Sequence, residues 1–440
     1  MERYKEYKDS GVQWIGEIPN HWEIEPFGRH FSYGKGLPIT KADLVPDGVA
    51  VISYGQIHSK LNKGNTISED LVRYVSPQYF ESHPQCLLKQ NDFIFADTSE
   101  DVDGSGNFAF NDYNNSIFAG YHTVVARPKD LLYPLYYAYL FQSLNWKSQI
   151  QSLVNGVKVF SINRGHLKKS YLLIPPLAEQ EKIVSYLKGK TSKIDGYVAE
   201  KEKEIQLLQE LKQKTIADAV TKGLNPNVKM KDSGISWIGM IPEHWETKRI
   251  ASLFVGKVEA NTDFKYHYAF KFNYGTLVPK NEVGDIEEYR DTYVKYSVLQ
   301  KDDIMINGLN LNYDFVSQRV AIAPSDGIIT SAYVVVRPRK GTNAQYYNYL
   351  FKTMDNMKLF HGMGTGIRLT LSYDELKKQI VVVPPKDEQR AIVAYIDEKC
   401  QKIDTLVSEL QAEIDYMKEY KQRLIADCVT GQVNVQNIKI

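Results

Sequence analysis

The chain has 440 residues and a formal net charge of +1, with 43% of its residues hydrophobic and 24% charged. This length exceeds that of a usual single domain and predicts two or three domains. No run approaches the roughly 18 consecutive apolar residues of a membrane span, so the composition predicts a soluble protein. The net charge alone favours neither DNA nor protein partners, because phosphate binding depends on how charges cluster.

The N-terminus predicts a cytoplasmic protein, and the cysteines predict neither a disulfide nor a zinc site. The sequence opens with "MERYKEYKDSG", which is charged from its second residue and lacks the apolar core of a secretory signal. Cys86, Cys400 and Cys428 are odd in number and widely spaced. This spacing fits neither a disulfide framework nor a four-ligand zinc site, so we expect the cysteines to act as small apolar residues.

Two motifs each occur twice along the chain. "KDSGVQWIGEIPNHWE" (Lys8 to Glu23) returns as "KDSGISWIGMIPEHWE" (Lys231 to Glu246), and we call both copies the Trp motif. "IPPLAEQEKIVSYLKGKTSKID" (Ile174 to Asp195) returns as "VPPKDEQRAIVAYIDEKCQKID" (Val383 to Asp404), here called the Pro-Pro motif. Such repeats predict two related structural units within one chain.

The segments between the repeats are typical of short strands. They are rich in β-branched and aromatic residues, are closed by Gly, Asp or Pro, and lie at 48–55, 91–97, 122–128, 302–308 and 331–338. Each half is therefore predicted to contain an α+β globule. The paired tyrosines Tyr136, Tyr137, Tyr346 and Tyr347 are expected in the cores of these globules.

A long helix is predicted to follow each double proline and to end near a glycine, at Gly223 and Gly431. Each helix has an apolar stripe on one face: Ile183, Leu187, Ile194, Val198, Ile205, Leu208 and Leu211 in the first copy; Ile392, Ile396, Ile403, Val407, Ile414, Met417 and Tyr420 in the second. A single helix of about 42 residues would extend about 63 Å and could not bury this stripe on a small globule. Antiparallel packing of the two copies is the expected solution, and two long helices inside one ordinary bundle is the alternative.

No catalytic motif is found in the sequence. "GKTS" at Gly189 to Ser192 resembles a phosphate-binding loop, but Val184 stands where that loop needs glycine. "HGMGTGIR" at His361 to Arg368 has Ile367 where a dinucleotide fingerprint needs glycine. The histidines are scattered without the spacing of metal ligands. We therefore predict no active site.

One stretch favours a polyanion. Trp146 to Leu172 contains five basic residues and no Asp or Glu: Lys147, Lys158, Arg164, Lys168 and Lys169. The second half has a weaker counterpart in "GMGTGIRLTL", where Arg368 follows a glycine as Lys158 does. Phosphate binding and a simple solvated basic face both explain such a run, and composition does not separate them.

The repeated pattern KDSGxxWIGxIPxHWE, a strand-rich region and PPxxEQxxIxxYxxxxxxKID resembles the specificity subunit of type I restriction-modification systems over nearly the whole chain. The resemblance implies two target-recognition domains, at 1–173 and 224–382. It also implies a central long helix at 174–223 and a distal long helix with a tail at 383–440. These helices would form an antiparallel coiled-coil rod in a pseudo-two-fold α+β fold.

The resemblance further implies a non-catalytic, DNA-binding chain that recognises a bipartite, asymmetric site. Two methyltransferase (modification) subunits, which bind S-adenosylmethionine and methylate adenine N6, would dock on it. Restriction subunits that use ATP and Mg would join them. The alternative is a coiled-coil scaffold that carries two ligand-binding globules and does not bind DNA.

Family position also implies which loops touch DNA, since Asn, Gln, Arg and Lys side chains are the usual groups in direct readout. The expected DNA-binding residues are Tyr54, Gln56, His58, Lys60, Lys158, Asn163, Arg164, Lys271, Asn273, Tyr274, Asn307, Asn310, Asn312 and Arg368. The acidic segment "ADTSEDVDGSG" (Ala96 to Gly106) departs from a basic surface. It is expected either to turn away from phosphate or to contact cytosine amino groups through an acid.

Overall fold

The structure, a computed structural model, describes residues 2–112, 116–129, 133–154, 159–256, 259–281, 284–316, 318–366 and 369–438. The chain divides into two compact units. The first unit comprises Met1–Lys201 and Ala412–Ile440, and the second comprises Glu202–Gln411. Each unit therefore combines one globule with part of each of two long helices.

The first unit contains mostly short strands. They are β1 (Tyr7–Asp9), β2 (Glu17–Pro19), β3 (Glu23–Pro26), β4 (Phe31–Lys35), β5 (Val49–Ile52), β6 (Arg73–Val75), β7 (Phe93–Ala96), β8 (Thr98–Ser99), β9 (Phe108–Phe110), β10 (Ile117–Ala119), β11 (Thr123–Pro128), β12 (Phe160–Ser161) and β13 (Tyr171–Ile174). Its helices are α1 (Phe27–His30), α2 (Tyr54–Ile57), α3 (Tyr79–Ser82), α4 (Pro134–Gln142), α5 (Leu144–Gln151), α6 (Arg164–Lys169) and the first part of α7 (Leu177–Lys222), with 3-10 turns at Lys41–Asp43, Glu69–Leu71 and Pro84–Cys86.

The core of the first unit is an antiparallel sheet of order β4-β11-β7-β9 covered by aromatic side chains. Phe141 of α4 packs on this sheet, with its ring centre 5.1 Å from that of Phe93 and 5.6 Å from that of Phe95. A second sheet of order β10-β5-β6 lies in the same unit, and its β10–β5 pair is parallel. Such rings supply the main apolar burial of a small globule.

The second unit repeats this plan. Its strands are β14 (Met230–Asp232), β15 (Met240–Pro242), β16 (Glu246–Arg249), β17 (Phe254–Gly256), β18 (Phe270–Asn273), β19 (Thr276–Pro279), β20 (Ser297–Leu299), β21 (Ile304–Ile306), β22 (Val320–Ile322), β23 (Gly327–Ile329), β24 (Val334–Pro338) and β25 (Ile380–Val383). Its helices are α8 (Ile250–Leu253), α9 (Arg290–Tyr293), α10 (Ala344–Asn356), α11 (Tyr373–Leu376) and the first part of α12 (Lys386–Val429), with 3-10 turns at Ile286–Tyr289 and Leu359–Gly362.

The five predicted strands are confirmed as β5, β7, β11, β21 and β24. The sheet order β17-β24-β21-β22 corresponds to β4-β11-β7-β9, so the two globules share one scaffold. The four predicted core tyrosines are fully buried. The scaffolds differ beside this sheet, because the second unit has the β18–β19 hairpin and the β20–β23 pair instead of a three-stranded sheet.

Both predicted long helices are confirmed as α7 and α12, each of which begins just after a double proline. Gly223 and Gly431, just beyond their ends, have left-handed φ values of 76° and 73°. A Cβ at Gly223 would lie 3.1 Å from the Trp245 ring, and one at Gly431 would lie 2.4 Å from Pro19. Glycine therefore satisfies both the backbone turn and the close packing at these ends.

The two helices pack antiparallel within each unit. In the first unit, Asp195 of α7 pairs with Lys421 of α12 at 2.7 Å, and Tyr197 further along α7 bonds to Glu413 earlier in α12. In the second unit, Lys212 of α7 pairs with Asp404 of α12 at 2.6 Å. The two ion pairs join equivalent positions of the repeat, which confirms the predicted pairing of the helix copies.

The apolar stripe is only partly confirmed. Seven of its residues are buried in the helix packing: Ile183, Leu187, Ile194, Val198, Ile392, Ile396 and Ile414. Leu211 and its equivalent Tyr420 are instead 51% and 38% exposed, so the prediction is wrong there. Beyond Leu211 the buried face of α7 shifts to Ile216 and Val220, which join the core of the second globule. That core also contains Ile392, Ile396 and Cys400 of α12, so both helices contribute to it and only the position of Leu211 and Tyr420 is left exposed.

The two repeated motifs are held to each other by a carboxylate. Glu179 of the first Pro-Pro motif lies 2.6 Å from His21 Nε2 and accepts a hydrogen bond from Trp22 Nε1 at 3.1 Å. In the second unit, Glu388 makes the same contacts with His244 at 2.6 Å and with Trp245 at 2.9 Å. The two motifs recur together because each supplies one side of the same contact.

Candidate nucleic-acid interface

In the first unit, the predicted DNA-binding residues begin at the short helix α2. Ser53 precedes it and its N–H donates to Gln56 Oε1 at 3.1 Å, which forms a capping box. Part of the Gln56 amide therefore fixes the helix start. Tyr54 is half-buried, and Lys60 is exposed just beyond the helix.

His58 is held through both ring nitrogens. Its Nε2 donates to the Thr98 carbonyl at 2.8 Å, and its Nδ1 lies 3.1 Å from Asn107 Nδ2. Because a carbonyl can only accept, the proton lies on Nε2 and Nδ1 accepts. Asn107 Oδ1 in turn accepts from Lys147 Nζ at 2.7 Å. Burial lowers the pKa of Lys147, so this lysine of the basic stretch supports the loop from inside.

The start of α6 supplies the second part of this surface. Asn163 caps α6 by accepting from the N–H groups of Gly165 and His166 at 2.8 and 3.1 Å. Arg164 is half-exposed beside it. The preceding Ile162 N–H donates to the Asp97 carbonyl at 2.8 Å, in the strand end next to β8.

His122 connects α2 to the start of α6. Its ring centre lies 5.3 Å from that of Tyr54, and its Nδ1 lies 3.2 Å from Asp97 Oδ1. The structure therefore brings six predicted residues to one edge of the unit, and we name this set the first recognition surface: Tyr54, Gln56, His58, Lys60, Asn163 and Arg164. Lys158 lies outside the described residues.

The acidic segment faces this surface. A cavity of about 640 Å³ is lined by Tyr54, His58, Glu100, Asp101 and Asp103, among others. Within the segment, Asp101 Oδ1 accepts from the Gly104 N–H at 2.6 Å and fixes the local turn. The carboxylates thus lie beside the residues expected to contact DNA.

In the second unit, the β18–β19 hairpin carries three predicted residues. Its two-residue turn consists of Tyr274 and Gly275, with φ values of 42° and 78°. Two consecutive left-handed residues are typical of the tight hairpin turn that matches strand twist. Tyr274 is 77% exposed at the tip, and Lys271 and Asn273 are exposed on the preceding strand.

The loop after β21 carries the other three, Asn307, Asn310 and Asn312. Asn307 Oδ1 accepts from the Leu309 N–H at 3.2 Å, and Asn310 is exposed with a left-handed φ of 51°. Asn312 is half-buried. These short polar residues allow the loop to turn sharply.

A buried arginine organises this loop. Arg319 is 1% exposed, and its guanidinium donates to the carbonyls of Asn307 and Leu309 at 3.0 and 2.9 Å and to that of Asp314 at 2.8 Å. Its backbone N–H donates to Asp355 Oδ2 at 2.6 Å. Burial raises the pKa of Asp355. The loop is thereby fixed to the C-terminal end of α10.

The hairpin and the loop lie side by side. A Cβ at Gly275 would lie 3.0 Å from the Cβ of Gln318, whose side-chain amide bonds to Asn356 at the end of α10. The structure thus brings six predicted residues together as the second recognition surface: Lys271, Asn273, Tyr274, Asn307, Asn310 and Asn312. Arg368 lies outside the described residues.

Sequence reasoning missed Arg319 and the exposed apolar residues Tyr313, Phe315 and Val316. The available signal was "NLNYDFVSQR", in which aromatic residues follow asparagines without strand alternation. The described ranges contain no cluster of three potential metal ligands, and no helix within them has the length and hydropathy to cross a membrane. The three cysteines are buried and unpaired, as predicted.

A family model described as "Type I restriction modification DNA specificity domain" matches the chain twice, at residues 34–207 and 242–416. The chain belongs to the type I restriction-modification specificity family. The putative MjaX specificity subunit of Methanocaldococcus jannaschii is 22% identical over 99% of both chains. The EcoKI specificity subunit of Escherichia coli K12 is 21% identical over 96% of this chain and 91% of its own.

A solved structure supports the same fold for this specificity subunit. The solved structure is titled "Structural basis underlying complex assembly and conformational transition of the type I R-M system". It matches with a TM-score of 0.68 at 15% identity, covering 94% of this chain and 99% of the solved one. The two family matches agree with the two units, each of which carries one recognition surface.

Proposed function

We propose that the two recognition surfaces bind the two different parts of a bipartite, asymmetric DNA site. The observation that supports this is that the two units have the same sheet but different side chains at equivalent strand ends. Ala96 and Asn307 occupy equivalent sheet positions and bond to Asn107 and Arg319 respectively. Asn107 holds His58, whereas Arg319 holds an Asn-rich loop, so equivalent strand ends present different chemistry.

The first surface suits mixed contacts. Arg164 and Lys60 carry the positive charge that favours guanine edges or phosphate, and the amide of Gln56 suits adenine. We assign to the acidic segment the second of its two expected roles, contact with cytosine N4, because Glu100, Asp101 and Asp103 share a cavity with Tyr54 and His58. Phosphate contact through these carboxylates would be unfavourable.

The second surface suits adenine and backbone contacts. Asn273 and Asn310 offer exposed amides, which pair with adenine N6 and N7 in the major groove, whereas the Oδ1 atom of Asn312 is buried and this residue would act by shaping the loop. Lys271 supplies the positive charge for a phosphate. Arg319 is buried and acts on DNA only by positioning this loop.

The chain itself has no catalytic role in this proposal. Two modification subunits would dock on one copy, since the contact of Glu179 with the first Trp motif is repeated by Glu388. They would bind S-adenosylmethionine and methylate adenine N6. Restriction subunits would bring ATP and Mg, and the complex would act in the cytoplasm.

Methylation mapping tests the proposal. The full chain, produced with its modification subunit, is expected to direct adenine N6 methylation to one interrupted asymmetric sequence. Combined Asn310→Ala and Asn312→Ala changes should relax only one half of that sequence, and Gln56→Ala should relax only the other.

Binding assays separate this from the scaffold alternative. Specific binding should weaken steeply as salt rises, because phosphate contacts release counterions. A complex that binds mapped and scrambled duplexes equally would refute sequence recognition. Binding of neither duplex would instead favour the scaffold, and methyl transfer by the chain alone would refute a non-catalytic role.

A further inference from the structure

The loop of the second recognition surface ends in an apolar tip, consisting of Tyr313, Phe315 and Val316. Their exposed fractions are 76%, 55% and 90%. Single exposed apolar residues are ordinary on protein surfaces, but contiguous ones indicate a binding site. This tip adjoins Asn310 and Asn312, and it lies on the loop that Arg319 fixes.

The tip is held in place. The Phe315 ring stacks on His361, with centres 4.7 Å apart and planes inclined by 20°. His361 Nε2 lies 3.1 Å from the Asp314 carbonyl oxygen, and that carbonyl also accepts from Arg319. A tip supported from two sides loses little conformational freedom on binding, which favours a specific contact.

The geometry selects among the ways an apolar side chain can contact DNA. A wedge between base pairs needs a long side chain that can separate the stack. Phe315 has one ring face covered by His361, and Val316 is short and branched. In the major groove, by contrast, a small apolar group can rest against the C5-methyl of thymine. Val316 has the exposure for that contact.

We propose that Val316, supported by Phe315, is a specificity-determining residue that contacts a thymine C5-methyl in the major groove of the half-site bound by the second unit. This inference rests on the proposed function and deepens it. The neighbouring Asn310 amide supplies hydrogen bonds, and the methyl contact discriminates thymine from cytosine, which lacks that methyl.

Deoxyuridine substitution tests the contact, because it removes only the methyl group. The full chain with its modification subunit is bound to the mapped duplex and to duplexes in which one thymine of the second half-site is deoxyuridine. One substitution should weaken binding by about 3- to 5-fold, the effect of one lost methyl contact. Val316→Ala should weaken binding to the thymine duplex by a similar factor. The variant should bind the deoxyuridine duplex as tightly as it binds the thymine duplex.

The matched control is Leu224→Ala, since Leu224 is also exposed but lies just after α7. This variant should retain the full thymine-to-deoxyuridine ratio. Three results would overturn the inference: a second half-site without thymine, no deoxyuridine effect in the unchanged chain, or an unchanged ratio in Val316→Ala.

Other outcomes identify the source of a failure. Increased fluorescence of 2-aminopurine in the second half-site, with no deoxyuridine effect, would show a wedge and refute the methyl contact. If the unchanged chain does not distinguish mapped from scrambled duplex, the proposed function itself fails. If it distinguishes them and only the methyl effect is absent, DNA recognition stands and only the role of Val316 is refuted.

Discussion

Asn107 in the first unit and Arg319 in the second occupy the same position of the shared sheet, just before β9 and β22. Each accepts a backbone hydrogen bond from the neighbouring strand end, at 3.1 and 2.8 Å. Their side chains then make different contacts. Asn107 lies between His58 and Lys147 and bonds to both, whereas Arg319 donates hydrogen bonds to three loop carbonyls. The two units thus share this sheet but have different residues at this one edge position, and the surfaces beside it are different.

Several other contacts within the scaffold are the same in both units. Arg127 pairs with Asp92 at 2.6 Å in the first unit, and Arg337 pairs with Asp303 at 2.7 Å in the second. Tyr136 donates to the last residue of α12, Val429, at 2.9 Å. Its equivalent Tyr346 donates to Val220 near the end of α7 at 2.7 Å. These contacts of the scaffold are therefore shared, and the buried difference at Arg319 lies where the sheet supports a recognition surface.

The largest effect is expected when the second half of the chain, with its Trp motif, globule and long helix, is removed. A chain truncated after Gly223 loses Ala412–Ile440, which belong to the first unit, and would expose Ile183 and Leu187. Each large aliphatic side chain contributes roughly 1.5–3 kcal/mol when buried. The α7 segment of a second truncated chain offers the same residue classes, with Lys212 placed to meet Asp195. We expect a symmetric dimer, measured by light scattering.

With the modification subunit, this dimer should direct methylation to an interrupted palindrome made from the first half-site. The full-length chain, with its asymmetric site, is the control. A folded monomer, or a truncated chain that still requires the asymmetric site, would show that the copies are not interchangeable.

The next effect separates the two surfaces. Arg319→Met removes the arginine donor from the carbonyls of Asn307 and Leu309 and leaves His361 as the contact of the Asp314 carbonyl, and it should lower the free energy of unfolding by about 3 kcal/mol. It should abolish discrimination in the second half-site while leaving the first intact. Asn107→Leu should do the reverse. Urea denaturation and methylation mapping provide the measurements.

Arg249→Met is the control for Arg319→Met, because Arg249 is exposed on β16 and its loss should change stability by less than about 0.5 kcal/mol. If Arg319→Met and Asn107→Leu relaxed the same half-site, the assignment of one half-site to each unit would be wrong.

A smaller difference is expected at the motif contacts. Glu179 accepts from Tyr4 at 2.9 Å in addition to Trp22 and His21, whereas Asn227 stands at the position equivalent to Tyr4. The Glu179 side chain is also less exposed, at 16% against 41% for Glu388. Glu179→Ala should therefore destabilise by about 2 kcal/mol and Glu388→Ala by about 1 kcal/mol.

Thermal and urea unfolding of both variants would measure this order. Glu181→Ala, which changes an exposed carboxylate on the same helix, is the control. Equal losses at Glu179 and Glu388 would mean that the Tyr4 contact and the deeper burial contribute nothing.

The smallest effects are expected at the equivalent ion pairs between the helices. Asp195 and Asp404 have side chains that are 44% and 60% exposed, and partly exposed pairs contribute less than about 1 kcal/mol. Asp195→Asn and Asp404→Asn should each lower stability by that amount or less, and the loss should shrink in high salt. A loss above about 2 kcal/mol, unchanged by salt, would assign these pairs a structural role.

Local sequence patterns predicted most of the scaffold. Strands such as β7 and β21 have β-branched or aromatic residues between turn-forming ones, and α7 begins after Pro175 and Pro176. The exposure of Leu211 was not predictable, because it depends on which face of α7 joins the core that Ile216 shares with Ile396 of α12 and the second globule. Periodicity along one helix does not reveal where a globule covers it.

The sequence predicted which loops form the recognition surfaces, but it did not predict how the side chains of these loops are placed. His58 is fixed by Thr98 and Asn107, which are 40 and 49 residues away. Arg319 is buried among loop carbonyls, although a charged residue is usually expected on the surface. Side-chain placement of this kind depends on contacts that only the folded chain brings together.

The segment before the first Trp motif meets the segment after α12 in the first unit. The Asn434 N–H donates to the Glu2 carbonyl at 2.9 Å, and the Tyr7 hydroxyl donates to the Gly431 carbonyl at 2.8 Å. Gly431 follows α12 just as Gly223 follows α7, and after Gly223 the chain runs on into the second Trp motif. The same junction thus occurs once as a continuous backbone and once as hydrogen bonds between segments 424 residues apart. A rearranged gene in which Gly431 leads on into the first Trp motif, and in which the chain is instead interrupted after Gly223, would encode the same set of contacts in a new order.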